Sequence, residues 1–446
     1  MAAAPLATFF LTGASASVSF VTLGDWGGAA LEEPSTPYAQ NVKNVASALE
    51  KVFKQNDIQF LVNTGDNFYW CGIQNTSDFQ VDVDWVQTYA GDVRAVNWYS
   101  VLGNHEYGYN VQAQIDLHNT HPTWIMDARY YTKRVALSSS QFVSMIFLDT
   151  SPCVSEYRSS SPSRWDPCGT QYPTCSLSGG SDDFEGSCHF HQNIMTQDCG
   201  AQLAWFKTKL AAVPKDDWLI LVGHHPLDEL DVEDFVSAAS SHGFDLYLNG
   251  HAHTLTHYMI DGIAKYVTSG AGALVMTYDQ LGGSPAKDRT MRKATGGDLD
   301  GNGNLSLAEL AGMNEMASVP YGKSERSIGH TYKQVYNNKV SGFTMHTFSD
   351  DFKTLKTDFI GVDGASMYSF STVKGAPPSP PAPTPAPTPS GSCCYESVSS
   401  CSAGQVCCSG SGESYKSASS CAQYGEKHGC KWDGSQCAIP SLVENA

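Results

Sequence analysis

The chain has 446 residues and carries 27 lysines and arginines against 45 aspartates and glutamates, for a formal net charge of −18 at pH 7. This length fits one large domain with smaller attachments. The acidic balance argues against nucleic acid and anionic membranes as partners, because both require basic patches on the protein. No stretch past the N-terminus reaches about 18 consecutive apolar residues, so we expect no membrane-spanning segment.

The N-terminus and the cysteines both predict a secreted protein. Residues 1–16 are uncharged, small and apolar, and positions 14–16 (Ala-Ser-Ala) fit the cleavage pattern of a signal peptide. Fourteen cysteines favour an oxidising compartment with disulfide bonds. The sequence Asn-Thr-Ser at 75–77 is an N-glycosylation sequon. We therefore expect an extracellular, disulfide-bonded glycoprotein.

Residues 17–374 alternate between strand-like and helical patterns, which predicts an α/β domain with a doubly wound core. A stripe of apolar residues predicts a helix at 38–55, and an aromatic-rich stretch predicts another at 79–89. A strand at 144–149 and a helix at 202–212 follow. Strands at 255–260, 265–268, 342–349 and 354–360 would form a second sheet. Between the strand at 144–149 and the helix at 202–212, residues 151–199 are a long insertion rich in Ser, Pro and Gly, with five cysteines that disulfide bonds could staple.

Five apolar, strand-like runs each end in polar side chains of the kind that bind metals. The runs and the residues that follow them are 18–23 with Asp25, 58–62 with Asp66, 98–102 with Asn104, 218–222 with His224, and 244–248 with His251 and His253. Each end alone is typical of turn chemistry. Open α/β sheets bind ligands at the carboxyl ends of their strands, so together the five ends predict a centre for one or two cations.

These five motif blocks, in this order, resemble those of the calcineurin-like metallophosphoesterases. Most members have Asp-x-His in the first block, but here Gly27 stands where the histidine would be. Tyr69, three residues after Asp66, can supply the missing ligand, as a tyrosinate does for ferric iron in the purple acid phosphatases. Without a long accessory domain before Asp25, the chain looks most like their small, animal-type, tartrate-resistant branch. The similarity covers roughly residues 18–372.

The resemblance implies a four-layer αββα sandwich and a dinuclear site. Asp66 would bridge a ferric site and a divalent site of iron, zinc or manganese. The remaining ligands would be Asp25, Tyr69 and His253 on the ferric side, and Asn104, His224 and His251 on the divalent side. The metals would lower the pKa of bound water, and the resulting hydroxide would attack phosphorus in line.

Three further residues have implied roles at this site. His105 lies near the leaving-group oxygen in the family, and as an imidazolium it would act as general acid. Glu106, where an aspartate is commoner, would orient His105. His225 departs from a position that is often aromatic, and either touches substrate phosphate or supports a ligand. We therefore expect substrate contacts from Asn104, His105 and His225.

An insertion at 279–323 contains a match to the twelve-residue calcium loop of EF-hands. Gly303 would make the sharp turn of this loop. The predicted calcium ligands are Asp298, Asp300, Asn302, Asn304 and Glu309. The alternative is a surface turn rich in Gly, Asn and Asp, since the loop has no paired partner and its entry helix lacks an apolar stripe.

The C-terminal residues predict a linker followed by a small module. Residues 375–392 are rich in proline and predict a stiff polyproline II linker. Residues 393–446 hold eight cysteines and few aliphatic side chains, so disulfides must supply their stability. The aromatic residues of this module form either a miniature core or a surface that stacks on polysaccharide.

The sequence thus predicts a secreted acid phosphatase that cleaves phosphate monoesters. One alternative is a phosphodiesterase or nucleotidase of the same superfamily, against which Gly27 and Tyr69 count. Another is a calcium-dependent wall-binding protein with a relict phosphatase fold, against which the complete set of seven ligand positions counts.

Overall fold

The computed structural model describes residues 17–29, 38–159, 167–168, 188–273, 329–375, 431–432 and 437–438. The predicted signal peptide, the calcium loop, the proline-rich linker and most of the cysteine-rich module lie outside these residues and remain predictions. The chain divides into two units, Met1–Pro380 and Pro381–Ala446. In the second unit, Lys431–Trp432 pairs antiparallel with Cys437–Ala438.

The first unit contains two seven-stranded sheets. The first sheet consists of β1 (Ser19–Leu23), β2 (Ile58–Asn63), β3 (Asn97–Ser100), β4 (Trp124–Ile125), β12 (Gly342–Phe348), β13 (Thr354–Gly361) and β14 (Ser366–Val373). The second consists of β5 (Tyr131–Ala136), β6 (Phe142–Phe147), β7 (Trp218–Val222), β8 (Leu246–Asn249), β9 (Leu255–Ile260), β10 (Ile263–Ser269) and β11 (Tyr332–Asn338). Their orders are β14-β13-β12-β1-β2-β3-β4 and β11-β9-β10-β8-β7-β6-β5.

Both sheets are mixed, and the strands that carry the motifs are parallel. In the first sheet β1, β2 and β3 run parallel, and β12 joins β1 antiparallel. In the second, β6, β7 and β8 run parallel. Parallel strands end at a common edge, which gathers the motif residues of each sheet. The predicted α/β fold of two sheets with helices is confirmed. The predicted composition of the second sheet is wrong for two strands: those expected at 342–349 and 354–360 are β12 and β13 of the first sheet, because β12 pairs with β1 and β13 pairs with β12.

The helices of the first unit are α1 (Tyr38–Gln55), a π-helix (Val81–Gln87), α2 (Asp92–Ala95), α3 (Val111–Asp116), α4 (Phe190–Met195), α5 (Cys199–Ala212) and α6 (Phe235–His242). α1 has the predicted bounds because its apolar stripe is fully buried, as Val45 and Leu49 show. Side-chain caps begin three others: Asn110 accepts a hydrogen bond from the Gln112 N–H at α3, Asp198 from the Ala201 N–H at α5, and Asp234 from the Ser237 N–H at α6.

One apolar core joins the facing sides of the two sheets. It contains Phe20 of β1 and Trp98 of β3 together with Trp218 of β7. A second cluster packs Phe206 of α5 and Phe235 of α6 together with buried side chains of the second sheet. Of the aromatic stretch at 79–89, Trp85 and Tyr89 are buried, as expected for core, but the side chain of Phe79 is 50% exposed.

Disulfide bonds staple the insertion after β6, as predicted. Cys153 pairs with Cys199, and Cys168 pairs with Cys188. The first of these ties the residues just past β6 to the first turn of α5. Within the described residues, no helix combines the length and the apolar character needed to span a membrane.

Candidate metal centre

The seven predicted metal ligands lie together at the carboxyl ends of the motif strands. Asp25, Asp66 and Asn104 follow β1, β2 and β3, whereas His224 follows β7, and His251 and His253 follow β8. Tyr69 lies in the loop after Asp66. Each of the seven side chains belongs to a residue that is at most 3% exposed. Seven buried polar side chains therefore face one another, and burial of such groups is costly unless they are paired.

Four donor atoms form the first cluster. The Tyr69 hydroxyl oxygen lies 3.0 Å from His253 Nε2, 3.4 Å from Asp66 Oδ2 and 3.5 Å from Asp25 Oδ1. His253 Nε2 in turn lies 3.3 Å from Asp25 Oδ1. Three oxygens and one imidazole nitrogen therefore converge on one point.

Four donor atoms also form the second cluster, and Asp66 belongs to both. Asn104 Oδ1 lies 3.1 Å from His224 Nε2 and 3.1 Å from His251 Nδ1. His224 Nε2 lies 3.4 Å from Asp66 Oδ2. The same oxygen of Asp66 therefore faces the donors of both clusters, which is the geometry of a bridging carboxylate.

The spacing of these donors fits bound cations. A metal ion with ligands at about 2.1 Å holds neighbouring donor atoms about 3.0 to 3.4 Å apart, depending on its geometry. The donor separations in the two clusters run from 3.0 to 3.5 Å. The carbonyl oxygen of the Asn104 amide is the atom turned toward the two imidazoles, whereas its Nδ2 has no hydrogen-bond partner among the described residues.

The backbone at the ligands is held in rarely populated conformations. Asp25, Asp66 and His251 have φ angles of 55°, 51° and 66°, in the left-handed region that residues other than glycine seldom occupy. Such strain persists where the surrounding structure imposes it, and it concentrates at functional sites. Gly103 shows how tight the packing is, because a Cβ there would lie 2.1 Å from Asp66 Oδ1.

Gly27 leaves no room for the histidine that most of the family carries in this block. A Cβ at this position would lie 2.8 Å from the backbone carbonyl carbon and oxygen of Asn67. Any larger residue would force these two loops apart. The hydroxyl of Tyr69 therefore supplies a donor that position 27 cannot supply in this backbone.

The charges within the site are strongly coupled. Burial lowers the pKa of His224, but the neighbouring Asp66 carboxylate outweighs burial and raises this pKa to about 9. Burial and, to a lesser extent, the charge of Asp66 raise the pKa of Asp25, and the hydrogen bond to His253 and the charge of His224 only partly offset them. The Asp25 carboxylate is thus short of positive charge, which a cation would provide, whereas at Asp66 burial is outweighed by the charges of His224 and His105, which lower its pKa.

His105 lies at the rim of the first cluster with a fixed tautomer. Its Nδ1 lies 2.6 Å from the backbone oxygen of Trp70, which only accepts hydrogen bonds, so Nδ1 carries the proton. Its Nε2 faces the site, 3.9 Å from Asp66 Oδ2. Burial lowers the pKa of His105, against the opposing charge of Asp66.

Glu106 binds the backbone of the Asp66 loop. Its carboxylate accepts hydrogen bonds from the backbone N–H groups of Gly103, Asp66, Asn67 and Phe68, at 2.5, 3.0, 2.8 and 3.2 Å. Glu106 therefore holds the Asp66 loop in place. Its expected role in orienting His105 stays a prediction.

His225 is held between two hydroxyl groups. Thr150 Oγ1 accepts hydrogen bonds from the backbone N–H groups of His224 and His225, so its own proton goes to His225 Nδ1, 2.8 Å away. His225 Nε2 then carries the ring proton and donates to the Tyr157 hydroxyl at 3.0 Å. Both ring nitrogens are thus used within the protein, and the residue is fully buried. These hydrogen bonds favour the alternative in which His225 supports a ligand, and its contact with substrate phosphate stays a prediction.

Of the residues that hydrogen-bond His224 and His225, the sequence indicated Thr150 but not Tyr157 or Thr64. Thr150 directly follows a predicted strand, as the metal ligands do. Tyr157 lies in an insertion without periodic pattern. The backbone oxygen of Thr64, which lies 2.8 Å from His224 Nδ1, carries no side-chain signal at all.

Comparison with known proteins agrees with this geometry. The family described as "Calcineurin-like phosphoesterase" matches residues 18–255. The chain belongs to this family. Membership supports a hydrolase that acts on phosphate esters, with the His and Asp groups described above as a possible metal site.

Curated relatives place the chain near the purple acid phosphatases. Tartrate-resistant acid phosphatase type 5 of Mus musculus is 28% identical over 275 residues, covering 58% of this chain and 74% of the relative. Purple acid phosphatase 17 of Arabidopsis thaliana is 29% identical over 269 residues, covering 58% and 69%. The resemblance to the purple acid phosphatases that the motifs predict is confirmed.

A solved structure supports the fold. The Plasmodium protein described as "GAP50 the anchor in the inner membrane complex" aligns with a TM-score of 0.50 at 16% identity, over 81% of this chain and 90% of that one. At this identity the likeness concerns the fold alone.

Proposed function

We propose that this protein is a secreted acid phosphatase that hydrolyses phosphate monoesters at a dinuclear site. Ferric iron would occupy the first cluster, and divalent iron, zinc or manganese the second. The observation that carries the proposal is the Tyr69 hydroxyl, which lies within 3.5 Å of donors from Asp25, Asp66 and His253. Three hard oxygens suit a trivalent ion, whereas the two imidazoles of the second cluster suit a softer divalent ion.

The residues of the site have separate roles in the proposed reaction. The bound cations would supply the positive charge that phosphoryl transfer requires. Asp66 holds the two clusters at a fixed separation, and Asn104 presents its amide oxygen between two imidazoles. His105 donates its Nδ1–H to the Trp70 carbonyl oxygen. Proton exchange with a leaving-group oxygen therefore takes place at Nε2. Asn104 and His105 remain the proposed substrate contacts.

Two described features support the secreted location. The disulfides Cys153–Cys199 and Cys168–Cys188 are typical of oxidising compartments. Asn75, the acceptor of the sequon, is exposed.

The test combines an activity assay with a spectrum. Purified protein loaded with iron should hydrolyse 4-nitrophenyl phosphate at pH 5 faster than bis(4-nitrophenyl) phosphate, and should be purple or pink because a tyrosinate on ferric iron absorbs visible light. Tyr69→Phe should abolish this band. Tyr89→Phe is the matched control, since Tyr89 is equally buried but is not one of the seven donors, and it should keep the colour.

Each contrary result points to a different function. A colourless iron-loaded wild type would refute the ferric assignment. Faster hydrolysis of the diester would indicate a phosphodiesterase. Retention on polysaccharide without hydrolysis of either ester would indicate the wall-binding alternative.

A further inference from the structure

His251 presents its two ring nitrogens to different neighbours. Nδ1 lies 3.1 Å from Asn104 Oδ1, inside the second cluster. Nε2, on the other side of the ring, lies 3.7 Å from Oε2 of Glu229. The ring therefore stands between a candidate cation and a carboxylate. In known metal sites, a carboxylate in this position fixes the tautomer and orientation of the histidine and makes its ligating nitrogen a better donor.

We propose that Glu229 is a positioning residue for His251, and that its carboxylate strengthens the binding of a divalent cation in the second cluster. This inference rests on the proposed dinuclear site. At 3.7 Å the carboxylate acts on the Nε2–H group through its charge, directly or across one water, because a direct hydrogen bond is shorter.

The local fold holds Glu229 in this place. It is the last residue of a 3₁₀ turn, Leu227–Glu229, that follows the His224 motif. The Glu229 N–H donates to the Pro226 carbonyl oxygen at 3.0 Å. Leu227 and Leu230, on either side, are buried. The Glu229 side chain is 13% exposed, so little solvent screens its charge from the His251 ring.

The other ligating histidine of this cluster is oriented differently. His224 Nδ1 lies 2.8 Å from the backbone oxygen of Thr64, a partner that no side-chain substitution removes. The face of the His251 ring packs against the neutral His225 ring, with ring centroids 4.1 Å apart. Packing fixes the plane of the ring, and the carboxylate determines which nitrogen points to the cluster. A substitution at Glu229 can therefore remove the carboxylate partner of His251 and leave the backbone partner of His224 in place.

The experiment measures cation affinity rather than turnover. Full-length protein is loaded with ferric iron, freed of divalent ions by dialysis, and titrated with Zn²⁺ by calorimetry. Glu229→Gln, which removes the charge at nearly constant size, should weaken zinc binding by about 10-fold to 100-fold, and Glu229→Ala at least as much. The visible band of the first site should be unchanged in both variants. Glu233→Gln is the control, because it removes the same charge four residues away and should bind zinc like the wild type.

Two outcomes would overturn the inference. One is wild-type zinc affinity in both Glu229 variants. The other is an equal loss in Glu233→Gln, which would show a general effect of charge. Failure of the proposed function would look different: the wild type itself would bind zinc but hydrolyse no monoester, and the comparison of the variants' zinc affinities would still decide the role of Glu229.

Discussion

Asp149 gives the sharpest prediction about pH. This carboxyl group is buried at the end of β6, accepts a hydrogen bond from the Tyr107 hydroxyl, and lies 3.7 Å from Arg129. Burial raises its pKa from 3.8 to about 6, although Arg129 and Tyr107 pull in the other direction. The folded protein therefore binds a proton at Asp149 at pH values where the unfolded chain has already released it.

The sign and size of the effect follow from this difference. The contribution of Asp149 to stability is fully present below its unfolded pKa and is lost as the pH rises through about 6. Each unit of pKa difference is worth about 1.4 kcal/mol, so the wild type loses about 2 to 3 kcal/mol of unfolding free energy between pH 4 and pH 8 from this group. Asp149→Asn cannot titrate, so its stability relative to the wild type should rise by that amount across the same range.

Urea unfolding of both proteins between pH 4 and pH 8 measures this difference, because other titrating groups cancel in the comparison. Asp217→Asn is the matched control. Although burial raises the pKa of Asp217, hydrogen bonds from Arg134 and Ser144 outweigh it and lower the pKa below 3.8, so this variant should show almost no slope above about pH 5, where both the folded and the unfolded state have released the proton. A constant difference between Asp149→Asn and wild type over the whole range would refute the reasoning.

Three further predictions concern other parts of the chain. Glu106→Gln should lower the unfolding free energy by about 3 kcal/mol in urea titrations, because an amide leaves some of the four buried N–H donors unpaired. Glu106→Asp is the comparison variant that keeps the negative charge. A Glu106→Gln variant as stable as the wild type would contradict the role given to this carboxylate. Glu309→Gln should abolish calcium binding measured by calorimetry, and an unchanged isotherm would rule out the EF-hand loop. Deleting residues 375–446 should leave turnover of a small phosphate ester nearly unchanged and weaken retention on polysaccharide, whereas a folded, metal-loaded truncation that loses most of its activity would place the module at the active site.

The sequence was most informative where burial dictates residue type. The motif strands are mostly apolar and end in metal-binding residue types, so both the strands and the meeting of their end residues were predictable. α1 was predicted to the residue because one of its faces is wholly buried. The half-exposed strands β5 and β14 were not predicted from the sequence. Lys133 and Arg134 in β5, and the serines in β14, obscure the alternation of apolar and polar residues that indicates a strand. The contacts of Glu106 and Glu229 depend on how loops from distant segments meet, and no local pattern records that.

The division of the ligands between the sheets links metal binding to assembly of the domain. Asp25, Asp66, Tyr69 and Asn104 come from the first sheet, and the three histidines come from the second, so each cluster draws donors from both. A cation in either cluster is therefore a cross-link between two halves of the chain that are far apart in sequence. Because the site exists only when the sheets are docked, the free energy of metal binding adds to that of docking. Metal supply during folding would then govern the yield of folded protein as well as its activity.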